Sequence, residues 1–269
     1  MNNLAISNIA WKHEEELHVF NILNKLEIKN VEVAPAKVVN NVKKFTKNEV
    51  ISYCNYHKKH NLNIVSMQAL LFGGPTGNIF GDSTEVSEIQ NHLYRVLEMA
   101  EYLGAKKLVF GSPKNRLKGQ LSKVEAFEKA SNFFAPLAKR ANDIGAAICI
   151  ENNPEYYGAD FLTTTDEVCE FIKFANMPGL SAHFDTGGMF LAKENIVEAI
   201  DNNSEMISHF HISEKDLLPI SSTDINHKEV ANILKHNNYN NYITVEMKQT
   251  EQNVIDIEKS LEFVRKVYL

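Results

Sequence analysis

Four residues in the second half of the chain could do chemistry by type and position: Glu151, Asp185, His211 and Glu246. Each stands directly behind a short run, Ile148-Cys149-Ile150, Ala182-His183-Phe184, Ser208-His209-Phe210 and Ile243-Thr244-Val245. Gathered in one partly dry cavity, three carboxylates repel one another and raise their own pKa values unless a cation neutralises them. A divalent metal resolves that conflict. Oxygen-rich ligation with a single imidazole suits Mn2+, Mg2+, Co2+ or Zn2+, the carboxylates favouring the harder ions, and the lack of thiolates argues against a structural zinc site.

Such a cavity needs elements that bring distant residues together. Eight β-branched or Leu-rich runs read as strands: Leu4 to Ile9, Asn30 to Val33, Asn63 to Met67, Lys107 to Phe110, Ala147 to Ile150, Leu180 to Phe184, Met206 to Phe210 and Tyr242 to Val245. Successive starts lie roughly 26 to 44 residues apart, the length of a strand, a crossover helix and two loops. Between them, Val86, Ile89, Leu93, Leu97, Ala100 and Leu103 keep the 3.6-residue period after Asp82 and Ser83, with Gly104 as the stop. Ser122 and Glu125 have capping-box spacing ahead of Phe127, Ala130, Phe134, Leu137 and Ala141, and that helix ends at Gly145. A last helix is expected from Val254 to Leu269.

Eight strand–helix units with no Pro- or Ser-rich linker, no Gly-x-Gly-x-x-Gly and no Walker loop predict an α/β fold, a single-domain (β/α)8 barrel over residues 1–269. Barrels of this kind place their chemistry at the C-terminal ends of the strands, which is where the four residues stand.

Composition narrows the partners. Of 269 residues, 44% are hydrophobic and 23% charged, which excludes disorder, and the net charge of -6 argues against duplex nucleic acid. No apolar stretch reaches the length of a membrane helix, and Met1 to Ala10 lacks the basic start and apolar core of a secretory signal, so a cytoplasmic location is expected. Cys54, Cys149 and Cys169 are too scattered for a disulfide scaffold and are expected to be buried packing. Apolar outer helices leave room for a homo-oligomer.

The ordered strand ends resemble the xylose isomerase-like TIM barrels known as sugar phosphate isomerases/epimerases, a group that includes ketose 3-epimerases, hydroxypyruvate isomerase, inosose dehydratase and endonuclease IV. The segments that carry the resemblance are Ser7-Asn8-Ile9-Ala10-Trp11, Val31-Glu32-Val33-Ala34-Pro35, Ser66-Met67-Gln68-Ala69-Leu70-Leu71-Phe72-Gly73, Gly111-Ser112-Pro113-Lys114-Asn115-Arg116, Glu151-Asn152-Asn153-Pro154, Asp185-Thr186-Gly187, His211-Ile212-Ser213 and Glu246-Met247-Lys248. The resemblance implies that Glu151, Asp185, His211 and Glu246 hold one divalent metal, Mn2+ first among the candidates. It also implies that Glu151 and Glu246 carry protons during isomerisation or epimerisation of a small sugar. Carboxylates flanking a metal-activated carbonyl can remove and return a proton through an enediolate.

The chain differs from the ketose 3-epimerases at two positions, with Gly188 in place of a His and Leu217 near the place of a substrate-binding Arg. Gln68 and Ser112 stand where endonuclease IV has further metal-binding histidines, which argues against a three-metal nuclease. An inosose dehydratase-like hydro-lyase and a non-catalytic carbohydrate-binding barrel are the alternatives.

Further candidates follow from strand parity. His183 and His209 share a strand face with Asp185 and His211 one layer deeper, placed to hydrogen-bond the ligands. Lys248 is expected to face the mouth with Glu246. Glu32, Gln68, Asn153 and Ser112, with Asn8 as a weaker candidate, are expected to meet substrate hydroxyls. Ser112, Lys114 and Arg116 could hold a phosphate or carboxylate, and Trp11 and Phe72 could stack on a sugar.

Overall fold

A computed structural model describes residues 3–269; Met1 and Asn2, the first two residues of the Met1–Ala10 segment considered above, lie outside them. The eight strands are β1 (Leu4–Ser7), β2 (Asn30–Val33), β3 (Asn63–Met67), β4 (Lys107–Phe110), β5 (Ala147–Glu151), β6 (Leu180–Asp185), β7 (Ile207–Ile212) and β8 (Ile243–Val245). Each pairs in parallel with the next and β8 returns to β1, giving a closed barrel with helices between the strands. This is the (β/α)8 architecture expected from the alternation.

The strand bounds differ from the sequence reading where polar residues meet the site. Glu151 and Asp185 close their strands and His211 lies inside β7, because the ladder continues through them: Glu151 is paired with His183, and Asp185 with His211. Strand β1 stops at Ser7, where the Ser7 hydroxyl accepts from the Ile9 N–H and starts a helical turn. The helices begin as the caps require. Asp82 accepts from the N–H groups of Thr84 and Glu85 ahead of Ser83–Leu103, and Gly104 ends that helix in the left-handed conformation (φ 77°). Ser122 and Glu125 cap each other's backbone ahead of Lys123–Asp143, and the last helix is Asn253–Tyr268.

Apolar helix stripes cover the outside of the barrel, as where Phe110 of β4 meets Phe134 edge-on at 5.1 Å between ring centroids. Cys54, Cys149 and Cys169 are free and buried. Among the described residues no helix is long and apolar enough to cross a membrane. Two register shifts interrupt the ladder, one between Val31 and Glu32 and one between Ala182 and His183. Irregularities of this kind re-aim side chains and are common beside active sites.

Candidate metal centre

Strands β5 to β8 bring Glu151, Asp185, His211 and Glu246 together at the C-terminal end of the barrel, with one potential ligand atom from each within 4.8 Å of the others. The local sequence explains each placement. Asp185 caps the short helix Thr186–Leu191, its Oδ1 accepting from the Gly188 N–H at 2.5 Å, while Oδ2 is buried without a hydrogen-bond partner. Thr186 and Gly187 then lace β6 to β7. The Thr186 hydroxyl donates to the Ser213 carbonyl and accepts from the Ser213 N–H, and the Gly187 N–H donates to the Ser213 hydroxyl. A Cβ at Gly187 would stand 2.5 Å from that hydroxyl, so this approach requires glycine.

Glu151 is held from several sides. Its backbone carbonyl accepts from Arg116 Nη2 at 2.6 Å, its Oε2 accepts from Asn153 Nδ2 at 3.3 Å, and its Oε1 lies 3.5 Å from His183 Nε2. The carboxylate also rests against Gly111, where a Cβ would come within 2.2 Å of Oε2. Gly111→Ala is therefore expected to keep the fold and displace this carboxylate. A misplacement of about 1 Å costs turnover about 100-fold. Wild-type rates of substrate hydrogen exchange in the alanine variant would contradict that placement.

His211 joins the set through Nδ1, 3.2 Å from Glu246 Oε2 and 4.0 Å from Asp185 Oδ2. Its Nε2 faces the other way, 2.8 Å from Glu32 Oε1. Burial pushes Glu151 up to about 8, with Glu246 and Asp185 adding repulsion, and burial together with Glu246 raises Asp185 to about 6. Although burial opposes it, Glu32 and Glu246 hold the His211 imidazole well above its usual value. The donor set fits a divalent cation: an orphaned buried carboxylate oxygen faces two further carboxylates and one imidazole nitrogen, all close enough to share an ion.

The titrations have a measurable consequence. A folded chain without an ion binds protons at Glu151 and Asp185 that the unfolded chain releases near the ordinary values of 4.5 and 3.8. Folding stability of the ion-free protein should therefore fall as pH rises from about 4 toward about 8. A divalent ion binds the ionised carboxylates and competes with those protons. Mn2+ should therefore raise Tm more at pH 8 than at pH 6; equal shifts would contradict the coupling.

The walls of a cavity of about 150 Å³ over the four residues include Asn152, Asn153, Tyr157, Gly188, Glu214 and Leu217. Tyr157, which the sequence reading did not single out, has its hydroxyl pushed well above its usual value by burial, with Asp185 and Asp216 adding to the rise. Glu214 is another such residue. Its carboxylate accepts from the Ser221 N–H at 2.7 Å and from the Thr223 hydroxyl, and lies 3.0 Å from His227 Nε2, anchoring the loop after β7. The available signal was a charged residue, Glu214, directly behind the strand-end segment His211-Ile212-Ser213. A larger cavity, about 1010 Å³, lies between the segments after β1 and β2 and the helix Lys47–Lys59, and none of the four residues lines it.

Other candidates are placed differently from the sequence reading. Glu32 has no exposed surface, and its two oxygens face His209 and His211, so it lies beneath the four-residue cluster with no surface left to meet substrate hydroxyls. Gln68 is buried and donates to the Ser7 hydroxyl at 2.7 Å, and Asn8 spans Tyr53 and the Ala34 N–H. Arg116 is buried against the Glu151 carbonyl while Lys114 is exposed, so Ser112, Lys114 and Arg116 form no common anion site. Lys248 is exposed and absent from the cavity walls, because β8 ends at Val245 and strand alternation stops before it. Trp11 is 1% exposed and Phe72 74%, so neither offers a stacking face in this cavity. His183 and His209 are fully buried beneath the cluster, but neither hydrogen-bonds one of its four residues: His183 Nε2 stops 3.5 Å from Glu151 Oε1 without a hydrogen bond, and His209 Nε2 is bonded to Glu32.

The sequence profile described as xylose isomerase-like TIM barrel matches residues 20–267. No curated protein sequence matches significantly. Solved structures share the fold at low identity. A 3-keto-D-glucoside 4-epimerase, YcjR, from E. coli is 18% identical with a TM-score of 0.81, covering 99% of this chain and 100% of its own. A D-psicose 3-epimerase from Clostridium cellulolyticum H10, solved with D-tagatose, is 16% identical with a TM-score of 0.81, covering 99% of each chain. The IOLI protein, solved with a zinc atom, is 16% identical with a TM-score of 0.75, covering 98% of this chain and 96% of its own. With the profile spanning nearly the whole chain and a closed eight-stranded parallel barrel beneath it, the chain belongs to the xylose isomerase-like TIM barrel family.

Proposed function

We propose that the protein is a divalent-metal-dependent isomerase or epimerase of a small sugar or sugar derivative, with Glu151 and Glu246 as its proton carriers. The reading rests on one observation above the others: the buried, unpartnered Asp185 Oδ2 faces the ligand atoms of Glu151, His211 and Glu246 at the open end of the barrel. A divalent ion held by these four would polarise a substrate carbonyl and its neighbouring hydroxyl, lowering the pKa of the C–H between them. Mn2+ is the ion we favour, on the harder, carboxylate-rich ligand set.

Glu151 and Glu246 belong to β5 and to the end of β8, three strands apart around the barrel, so they reach the cavity from different sides. One carboxylate takes the proton from the carbon beside the carbonyl. Its return by the other to the opposite face of that carbon inverts the centre, while its return to the former carbonyl carbon, with the hydroxyl proton passing to the former carbonyl oxygen, moves the carbonyl instead. Asn152, Asn153 and Ser213 offer polar groups around the reacting atoms, and Leu217 and Gly188 leave the wall without a cation there.

The test is a panel of keto sugars incubated with the Mn2+-loaded protein in D2O. Deuterium should appear at the carbon next to the carbonyl together with an epimer or isomer. Uptake followed by loss of water would instead identify the hydro-lyase alternative. No uptake from any member of the panel by folded, metal-loaded protein would overturn the reading.

A further inference from the structure

A carboxylate inside a barrel strand is costly unless something pairs it. Glu32 stands in the strand Asn30–Val33, all of whose residues are buried, and it has no exposed surface itself. Its Oε1 lies 2.8 Å from His211 Nε2 and its Oε2 lies 2.7 Å from His209 Nε2, so one carboxylate bridges two imidazoles. The register of β2 against β3 shifts between Val31 and Glu32, at the point where the side chain leaves the ladder for the barrel centre.

We infer that Glu32 is the positioning residue of the metal centre: it fixes the His211 ring with Nε2 protonated and Nδ1 presented to the ion. The inference rests on the proposed metal site. A carboxylate can only accept, so each Nε2 must donate; with that nitrogen committed, an ion that displaces the proton on Nδ1 meets the Nδ1 lone pair of His211, beside Asp185 and Glu246. A carboxylate behind a ligating imidazole locks its tautomer and raises its basicity. His209 takes the second oxygen, so the carboxylate cannot rotate away without leaving a buried imidazole with only the Thr244 hydroxyl, 3.4 Å from the same nitrogen. This bridge links β2 to β7 through the barrel interior, and these strands are not neighbours in the sheet.

Two measurements test the assignment. Titration calorimetry with Zn2+ should show Glu32→Gln binding roughly 10- to 100-fold more weakly than wild type, the usual cost of losing such a partner. Glu32→Asp, which keeps the charge on a shorter arm, should recover part of the loss. In the Zn2+-loaded wild type, long-range 1H–15N correlation spectra of labelled histidine should show His211 protonated at Nε2 and metallated at Nδ1. This measurement does not depend on any variant folding.

Unchanged Zn2+ affinity in a folded Glu32→Gln, or metallation of His211 at Nε2, would overturn the inference while leaving the metal site standing. A wild type that takes up no divalent ion would overturn both this inference and the proposed function.

Discussion

Replacing Glu246 with glutamine is expected to abolish substrate hydrogen exchange while leaving the barrel folded. Its backbone N–H, which donates to the Ile212 carbonyl at 2.9 Å, is untouched by the change. What is lost is the carboxylate that can hold a proton, and with it a factor of about 10² to 10⁴ from general acid–base catalysis. Because Glu246 is also a candidate ligand, the measurement belongs at saturating Mn2+, with the exchange rate followed by NMR in D2O and Tm recorded alongside. A rate within tenfold of wild type in the metal-saturated variant would remove Glu246 from the proton-carrying role. A rate lost along with bound metal would assign it to ligation instead.

Removing the imidazole of His211 should have two effects at once, because that ring faces the candidate ion on one side and Glu32 on the other. If His211 is a ligand as proposed, His211→Ala should lower Mn2+ affinity by more than the roughly 10- to 100-fold typical of an outer partner. It also leaves the buried Glu32 carboxylate with His209 alone. Breaking a buried pair from one side costs about 3 to 5 kcal/mol, and the lower end applies because one partner remains. Calorimetry and chemical denaturation separate the two effects. Unchanged Mn2+ affinity in a folded His211→Ala would show that the ring is not a ligand.

The barrel and the four-residue cluster could be read from local pattern, since strand spacing, helix caps and the position of a charged residue at a strand end are properties of neighbouring residues. Asp82, Ser122 and Gly104 marked helix ends for reasons that hold in any context. Glu32 was visible as a lone charge in an apolar strand, yet its partners come from β7, 177 and 179 residues away in sequence, and only closure of the barrel brings them together. Arg116 looked like a loop cation because it follows Pro113 and Lys114; folding turns it inward against the Glu151 carbonyl. Lys248 was assigned by extending strand alternation past Val245, where the chain has already left the sheet. Tyr157 and Leu217 reach the cavity from loops, whose course no periodicity reveals.

A crystal soaked in Mn2+ and measured for anomalous scattering tests the central claim most directly. A single peak per chain is expected among Glu151, Asp185, His211 Nδ1 and Glu246, within coordination distance of one atom from each. Strong Mn2+ peaks elsewhere with none among these four side chains would contradict it.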